Sequence, residues 1–96
     1  MIDIAVEIIR EYIQENLFDP TISWDKYEFK KRSYSHWAAY EILNRVIDHP
    51  LDAPLDTIEN FMFEMTMYAC CSENKQRILI FQTAAETAEE IALLII

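Results

Sequence analysis

The chain has 96 residues, of which 52% are hydrophobic, and it carries a formal net charge of −9 and no glycine. This length fits one domain over residues 1–96 and excludes two independent cores. Glycine provides backbone at positive φ and close approach to phosphates, so its absence excludes Walker loops, dinucleotide-binding fingerprints and G-x-S-x-G nucleophile elbows. Tight hairpins are also disfavoured, and we expect an all-α fold.

Residues 2–16 are predicted to form an amphipathic helix. One side is apolar and the opposite side carries acids and glutamine, with the repeat typical of a helix packed on a core. The apolar positions are Ile4, Ala5, Ile8, Ile9, Tyr12 and Ile13. Asp19-Pro20 ends the element, because the residue before a proline disfavours helical backbone.

The stretch 21–49 is predicted to be mostly helical, with its start left open. Thr21 or Ser23 is a suitable N-cap, and Ser33 or Ser35 offers a second one. The alternatives are therefore one long helix, or a short helix that breaks before another. From residue 34 to 47 the apolar spacing is regular and places one set of side chains inward. This set is Ala38, Ala39, Ile42, Leu43 and Val46.

A third helix is predicted from about residue 55 to 72, after a loop that contains two prolines. Asp52 is its candidate N-cap, and Pro54 suits its first turn. Apolar residues surround most of this helix, which predicts that it is enclosed on most sides. Cys70 continues an apolar stripe and is expected to be buried, whereas Cys71 follows a glutamate position and is expected to be partly exposed.

The last helix is predicted from about Lys75 to Leu94, after a break in which Ser72 and Asn74 are suitable caps. Its apolar residues alternate at spacings of three and four, which is a heptad-like seam with alanines that let a neighbouring helix approach closely. The seam comprises Ile78, Phe81, Ala85, Ala88, Ala92 and Ile95. Together these elements predict a small antiparallel bundle of about four helices.

Two pairs of acids are the sharpest candidates for chemistry. They are spaced i, i+3, so each pair faces one way, and together they offer oxygen ligands for a hard metal ion. The pairs are Asp56 with Glu59, and Glu86 with Glu89. Solvated helix faces show the same spacing, and His36 and His49 match no zinc-binding pattern. We expect no catalytic residue, no metal and no cofactor, and keep a metal-dependent hydrolase as the least favoured alternative.

Aromatic and basic residues mix between Trp24 and Trp37, around the run Lys30-Lys31-Arg32. Surfaces that bind nucleic acid look like this locally. The net charge of −9 opposes such binding, and burying each aromatic ring is worth about 2 kcal/mol. We expect the segment to fold onto the protein and expect no nucleic-acid partner.

The cysteines and the apolar runs bear on the compartment. Cys70 and Cys71 are adjacent and would point about 100° apart on a helix, so they cannot bridge each other there. The start of the chain has no signal-peptide pattern, and its apolar runs are shorter than the roughly 18 residues of a membrane span. We expect a cytoplasmic protein with reduced thiols and no membrane contact.

These observations predict a non-enzymatic protein–protein interaction module that forms a two-fold homodimer, partly through the last two helices. The expected interface residues are Ile78, Ile80, Phe81, Leu93, Leu94 and Ile96. One alternative is that residues 18–32 cover these surfaces and complete a monomeric core. Another is an acidic inhibitor, or a nucleic-acid-mimicking decoy, that offers its carboxylates to a basic protein partner.

Overall fold

The computed structural model describes residues 2–96, which form α1 (Ile2–Glu15), α2 (Lys26–Asp48), α3 (Pro54–Cys70) and α4 (Lys75–Ile95). Within these residues there is no β-strand, so the predicted all-α class is confirmed. The predicted α1 and α4 agree with the structure to within one residue at each end. In the described part of the chain, no helix is both long enough and apolar enough to cross a membrane.

The start of α2 resolves the alternatives left open by the sequence. Asp25 is the N-cap, and its side-chain oxygen accepts a 2.9 Å hydrogen bond from the backbone N–H of Glu28. The helix then continues without a break to Asp48. Thr21 and Ser23 precede this cap, while the Ser33 hydroxyl donates back to the carbonyl of Lys30 inside the helix. One long helix is therefore correct, and its cap is Asp25 rather than Thr21 or Ser23.

The starts of α3 and α4 show one wrong and one correct prediction. Asp52 is not the N-cap of α3, because Ala53 occupies that position without a side-chain hydrogen bond, and Pro54 begins the helix as expected. Proline lacks an N–H and presets the helical φ, so this start needs less capping. Asn74 caps α4 as predicted, and its side-chain oxygen accepts from the N–H of Arg77 at 3.1 Å.

The helices pack as a flattened bundle. Short connections make successive helices antiparallel. Helices α2 and α4 form the central pair, and α1 and α3 each pack against both members of that pair. The molecule measures 38 × 33 × 20 Å, which is about two helix diameters in its thinnest direction. Each outer helix therefore turns one face away from the rest of the chain.

The core receives side chains from all four helices. The largest fully buried ones are Ile9, Ile42, Val46, Ile58, Phe61 and Ile91. All five positions predicted to face inward on α2 are buried. Buried alanines on the central pair allow its two backbones to approach closely. These are Ala38 and Ala39 on α2, and Ala84 and Ala88 on α4.

The expectation that α3 is enclosed on most sides is wrong. Its buried face consists of Thr57, Ile58, Phe61 and Met65, whereas Phe63 on the opposite face is 68% exposed. The sequence shows that apolar residues surround most of α3, but not that α3 is an outer helix of a flat bundle. Cys70 and Cys71 are both exposed at its end, so the predicted burial of Cys70 is also wrong.

The buried face of α4 is wider than the predicted seam. Two seam alanines, Ala88 and Ala92, are buried, and three other seam positions pack against the core. A second buried column runs beside them and includes Thr83, Thr87 and Ile91. Helix α4 is central and touches the three other helices, so it buries more than one stripe.

Residues 18–32 fold back on α2 rather than across α3 or the end of α4. The Phe18 and Phe29 rings meet edge to face at 5.1 Å, and the Trp24 indole N–H donates to the carbonyl of Asp19 at 2.9 Å. The Arg32 guanidinium lies 5.4 Å from the Trp24 ring centre. Tyr27 and Phe29 nevertheless remain exposed, so the predicted packing of this aromatic segment is partial.

Candidate functional site

The six residues predicted to form the interface fall into two groups. Ile78, Ile80 and Phe81 are half-buried at the start of α4. The other three are exposed at its end; these are Leu93, Leu94 and Ile96. The two groups lie about 15 residues apart, which is about 22 Å along a helix. The two groups therefore lie near opposite ends of α4.

The apolar stripe that ends at Cys70, which was expected to be buried, runs along the outer face of α3 and is exposed. Phe63, Met67 and Cys70 are exposed and spaced by four and three residues, so they lie on one side of the helix. We call these three residues the α3 stripe. Asp56 and Glu59 continue the same side toward the start of the helix. The outer face of α3 is thus acidic in its first half and apolar in its second.

A second apolar surface lies at one end of the bundle. The antiparallel order brings together the start of α1, the end of α2, the α2–α3 loop and the end of α4. We call this surface the apolar end. Its exposed apolar side chains are Ile4, Ile47, Leu51, Leu93, Leu94 and Ile96. Leu51 is 99% exposed, so it contributes nothing to the core. This end differs from the α3 stripe in having contributions from several elements.

A polar cluster joins α2 and α3 beside the buried face of α3. Arg45 donates to both carboxylate oxygens of Glu64, at 3.0 and 3.4 Å, and to Glu41 at 3.3 Å. Its guanidinium also lies 4.9 Å from the centre of the buried Phe61 ring. The hydrogen bonds from Arg45 hold the pKa of Glu64 below its usual value. This cluster lies on the side of α3 that faces α2, away from the α3 stripe.

A polar cleft of about 330 Å³ lies between α1, α2 and α4. Tyr12, Thr83 and Thr87 are among its lining residues and are each less than a tenth exposed. The charged lining residues are Glu28, Lys31, Arg32, Glu86 and Glu90. Acidic and basic groups therefore share one cavity whose base contains buried hydroxyl groups.

Hydrogen bonds tie the helices together across this cleft. The Tyr12 hydroxyl donates to Glu90 at 2.6 Å, and the Thr87 hydroxyl donates to the carbonyl of Thr83 at 2.9 Å. Ser35 and Thr87 lie 2.9 Å apart, and Ser35 is then the donor because the single proton of Thr87 is already used. Burial, followed by the bond to Glu90, raises the pKa of Tyr12 to about 12. Tyr12 therefore acts as a hydrogen-bond donor, not as a base, near neutral pH.

The structure does not gather the four acids that the sequence offered as metal ligands. Asp56, Glu59, Glu86 and Glu89 are all exposed, and only Glu86 lines the polar cleft. Over residues 2–96, no three histidine, cysteine, aspartate or glutamate side chains are placed to hold one metal ion. His36 lies among aromatic rings instead, 4.9 Å from the Tyr40 ring centre.

The polar cleft was not predicted from the sequence, although some of its lining residues have a regular helical spacing. Thr83, Thr87 and Glu90 are spaced by four and three residues and form a polar column beside the alanine seam of α4. Tyr12 was assigned to the apolar stripe of α1 because its ring is buried there. Only the packed structure brings these groups to Ser35 on α2.

Comparison with protein-family models, with curated proteins and with solved structures finds no match to this chain. The assignment of function therefore depends on the α3 stripe, the apolar end and the polar cleft alone.

Proposed function

We propose that this protein is a non-enzymatic helical interaction module that self-associates as a two-fold dimer, with the α3 stripe at the centre of the interface. The observation that carries the proposal is the exposure of Phe63, at 68%, beside Met67 and Cys70 on the outer face of a helix. Large aromatic and methionine side chains are enriched at protein interfaces, where they fill pockets of the partner.

The total surface area supports a missing neighbour. The chain exposes 6494 Å², whereas a compact monomer of 11.4 kDa exposes about 5,800 Å². The excess is about 700 Å². Its physical source is the 20 Å thickness of the bundle, which leaves the outer face of α3 without a layer above it.

A second copy of the chain suits this face because of how charge is distributed along it. Asp56 and Glu59 lie before Phe63, and the outer face has no acid from Phe63 to Cys70. If two copies of α3 cross antiparallel near Phe63 and Met67, the two acidic halves lie at opposite ends of the pair. The apolar halves then meet without placing like charges opposite one another.

The acidic decoy is the alternative, and the polar cleft argues against it. A decoy needs carboxylates spread over a continuous face. Glutamates of α4 reach the cleft, but Lys31 and Arg32 of α2 line the same cavity. These cations interrupt the acidic surface at the position where α2 and α4 meet. The mixed charge favours the interaction module.

A pair of matched variants tests the proposed interface. Phe63→Glu places a charge in the α3 stripe, and Leu51→Glu makes the same change at another exposed position, at the apolar end of the bundle. Sedimentation velocity at micromolar concentration should give a monomer for Phe63→Glu and a dimer for Leu51→Glu. Circular dichroism checks that both remain helical. A dimer that persists in Phe63→Glu and dissociates in Leu51→Glu would assign the interface to the apolar end instead.

A further inference from the structure

The polar cleft has opposite charges on facing walls that do not close on each other. Lys31 and Arg32 come from α2, which also contributes Glu28, while Glu86 and Glu90 come from α4. Among the described residues, Arg32 pairs only with Glu28 of its own helix, at 3.9 Å, and Lys31 has no carboxylate within 4.0 Å. Attraction between oppositely charged walls normally draws such side chains together when their reach allows it. Here a cavity of about 330 Å³ remains between them.

Two of the charged lining side chains are held in place by contacts with aromatic side chains. The Arg32 guanidinium lies over the Trp24 ring, at 5.4 Å from its centre. Glu90 accepts the 2.6 Å hydrogen bond of Tyr12, which is itself only 8% exposed. Side chains that are positioned before a ligand arrives lose less conformational entropy on binding. The cleft therefore has one anchored cation and one anchored carboxylate.

We propose that this cleft binds a small zwitterion, with its carboxylate at Lys31 and Arg32 and its ammonium group at Glu86 and Glu90. The volume falls at the lower end of the range for small-molecule sites, and the polar lining excludes an apolar occupant. An ω-amino acid has the required charges, one at each end of a short chain. The hydroxyl oxygens of Ser35 and Thr87 at the base can still accept hydrogen bonds from the ammonium group of such a ligand.

This site is independent of the proposed dimer, because it lies between α1, α2 and α4, whereas the α3 stripe is on the outer face of the remaining helix. If an experiment contradicts one of the two proposals, the other is not affected.

The test uses the full chain and the series β-alanine, γ-aminobutyrate and δ-aminovalerate, with valerate and pentylamine as probes that carry one charge. Amide chemical shifts of the isotope-labelled protein are followed at millimolar ligand. At least one zwitterion should give saturable shifts at residues of the polar cleft and bind more tightly than both single-charge probes. Shifts that do not saturate for any member, or equal affinity for valerate, would overturn the proposal.

Two variants with matched controls locate the site. Glu90→Gln and Lys31→Met each remove one charge from the cleft, and each should weaken binding about tenfold or more, since charge-assisted hydrogen bonds are the stronger kind. Glu89→Gln and Lys30→Met make the same changes at neighbouring residues outside the cleft and should leave affinity unchanged. Equal weakening by the controls would show that net charge, not the cleft, governs binding, and would contradict the proposal.

Discussion

The hydroxyl of Tyr12 donates a 2.6 Å hydrogen bond to the carboxylate of Glu90, and this contact joins the first helix to the last across 78 positions of sequence. The Tyr12 ring belongs to the core, and its polar end faces the polar cleft. One side chain therefore serves both the packing of α1 and the geometry of the cleft.

Replacing Tyr12 with phenylalanine should reveal the contribution of this bond. We expect Tyr12→Phe to lower the free energy of unfolding by about 1 kcal/mol, because Glu90 is exposed and regains water when the bond is lost. Urea denaturation at neutral pH measures the change. An unchanged stability would show that the bond adds nothing to the folded state.

The same pair of proteins gives a pH test. The pKa of Tyr12 is about 12 in the folded protein and near 10 in the unfolded chain, so folding favours the protonated phenol. The resulting stabilisation is complete below about pH 10 and is lost as the pH rises toward 12. Wild type should lose stability more steeply than Tyr12→Phe over this interval. Parallel profiles for the two proteins would contradict the environment assigned to Tyr12.

The Arg45–Glu64 contact predicts a small change in stability as the pH falls into the acidic range. Hydrogen bonds from Arg45 lower the pKa of Glu64 in the folded state, so this contribution is present above the unfolded pKa and is lost as pH falls through the folded value. Glu64→Gln should destabilise the protein at neutral pH by less than about 1 kcal/mol, since both side chains are partly exposed. The difference from wild type should disappear in acid.

A control on the same helix distinguishes this contact from a general charge effect. Glu59→Gln removes one charge from an exposed position that has no ion pair among the described residues. The stability of Glu59→Gln should match that of the wild type at neutral pH and in acid. If Glu59→Gln and Glu64→Gln change stability equally, the contact with Arg45 is not the cause.

The assigned cap of α2 gives a fourth prediction. Asp25→Ala removes the carboxylate that accepts the Glu28 N–H, and it should cost about 1 kcal/mol of stability. Ser23→Ala changes a residue that the sequence offered as an equal candidate, and it should have almost no effect. Thermal unfolding followed by circular dichroism compares them. A larger loss in Ser23→Ala would place the start of the helix earlier than Lys26.

The sequence was sufficient for the features that depend on local chemistry. Asn74 is a capping residue before a long apolar repeat, so the start of α4 was predicted correctly. Pro54 is suited to a first helical turn and lies there in α3, although the cap expected at Asp52 is wrong. Asp25 was harder to assign because Thr21 and Ser23 are equally capable caps within a few residues. In the structure Thr21 donates both its backbone N–H and its hydroxyl to the Asp19 carboxylate, and Asp25 is the cap.

The features that depend on the arrangement of helices were predicted less well. Phe63 and Cys70 were expected to be covered because α3 is apolar all round, but a periodicity does not say which helix is at the edge of a flat bundle. The polar cleft depends on Tyr12, Ser35 and Thr87 meeting from three helices. Each residue alone looks like an ordinary member of its own helix, so the site becomes visible only in three dimensions.

Self-association is the central claim, and the mass of the unmodified protein in solution tests it most directly. Multi-angle light scattering at micromolar concentration should give twice the chain mass of 11.4 kDa, and the dimer should dissociate on dilution by simple mass action. A stable mass of 11.4 kDa across the whole concentration range would contradict the account, because the α3 stripe would then be an apolar face that the monomer leaves in water.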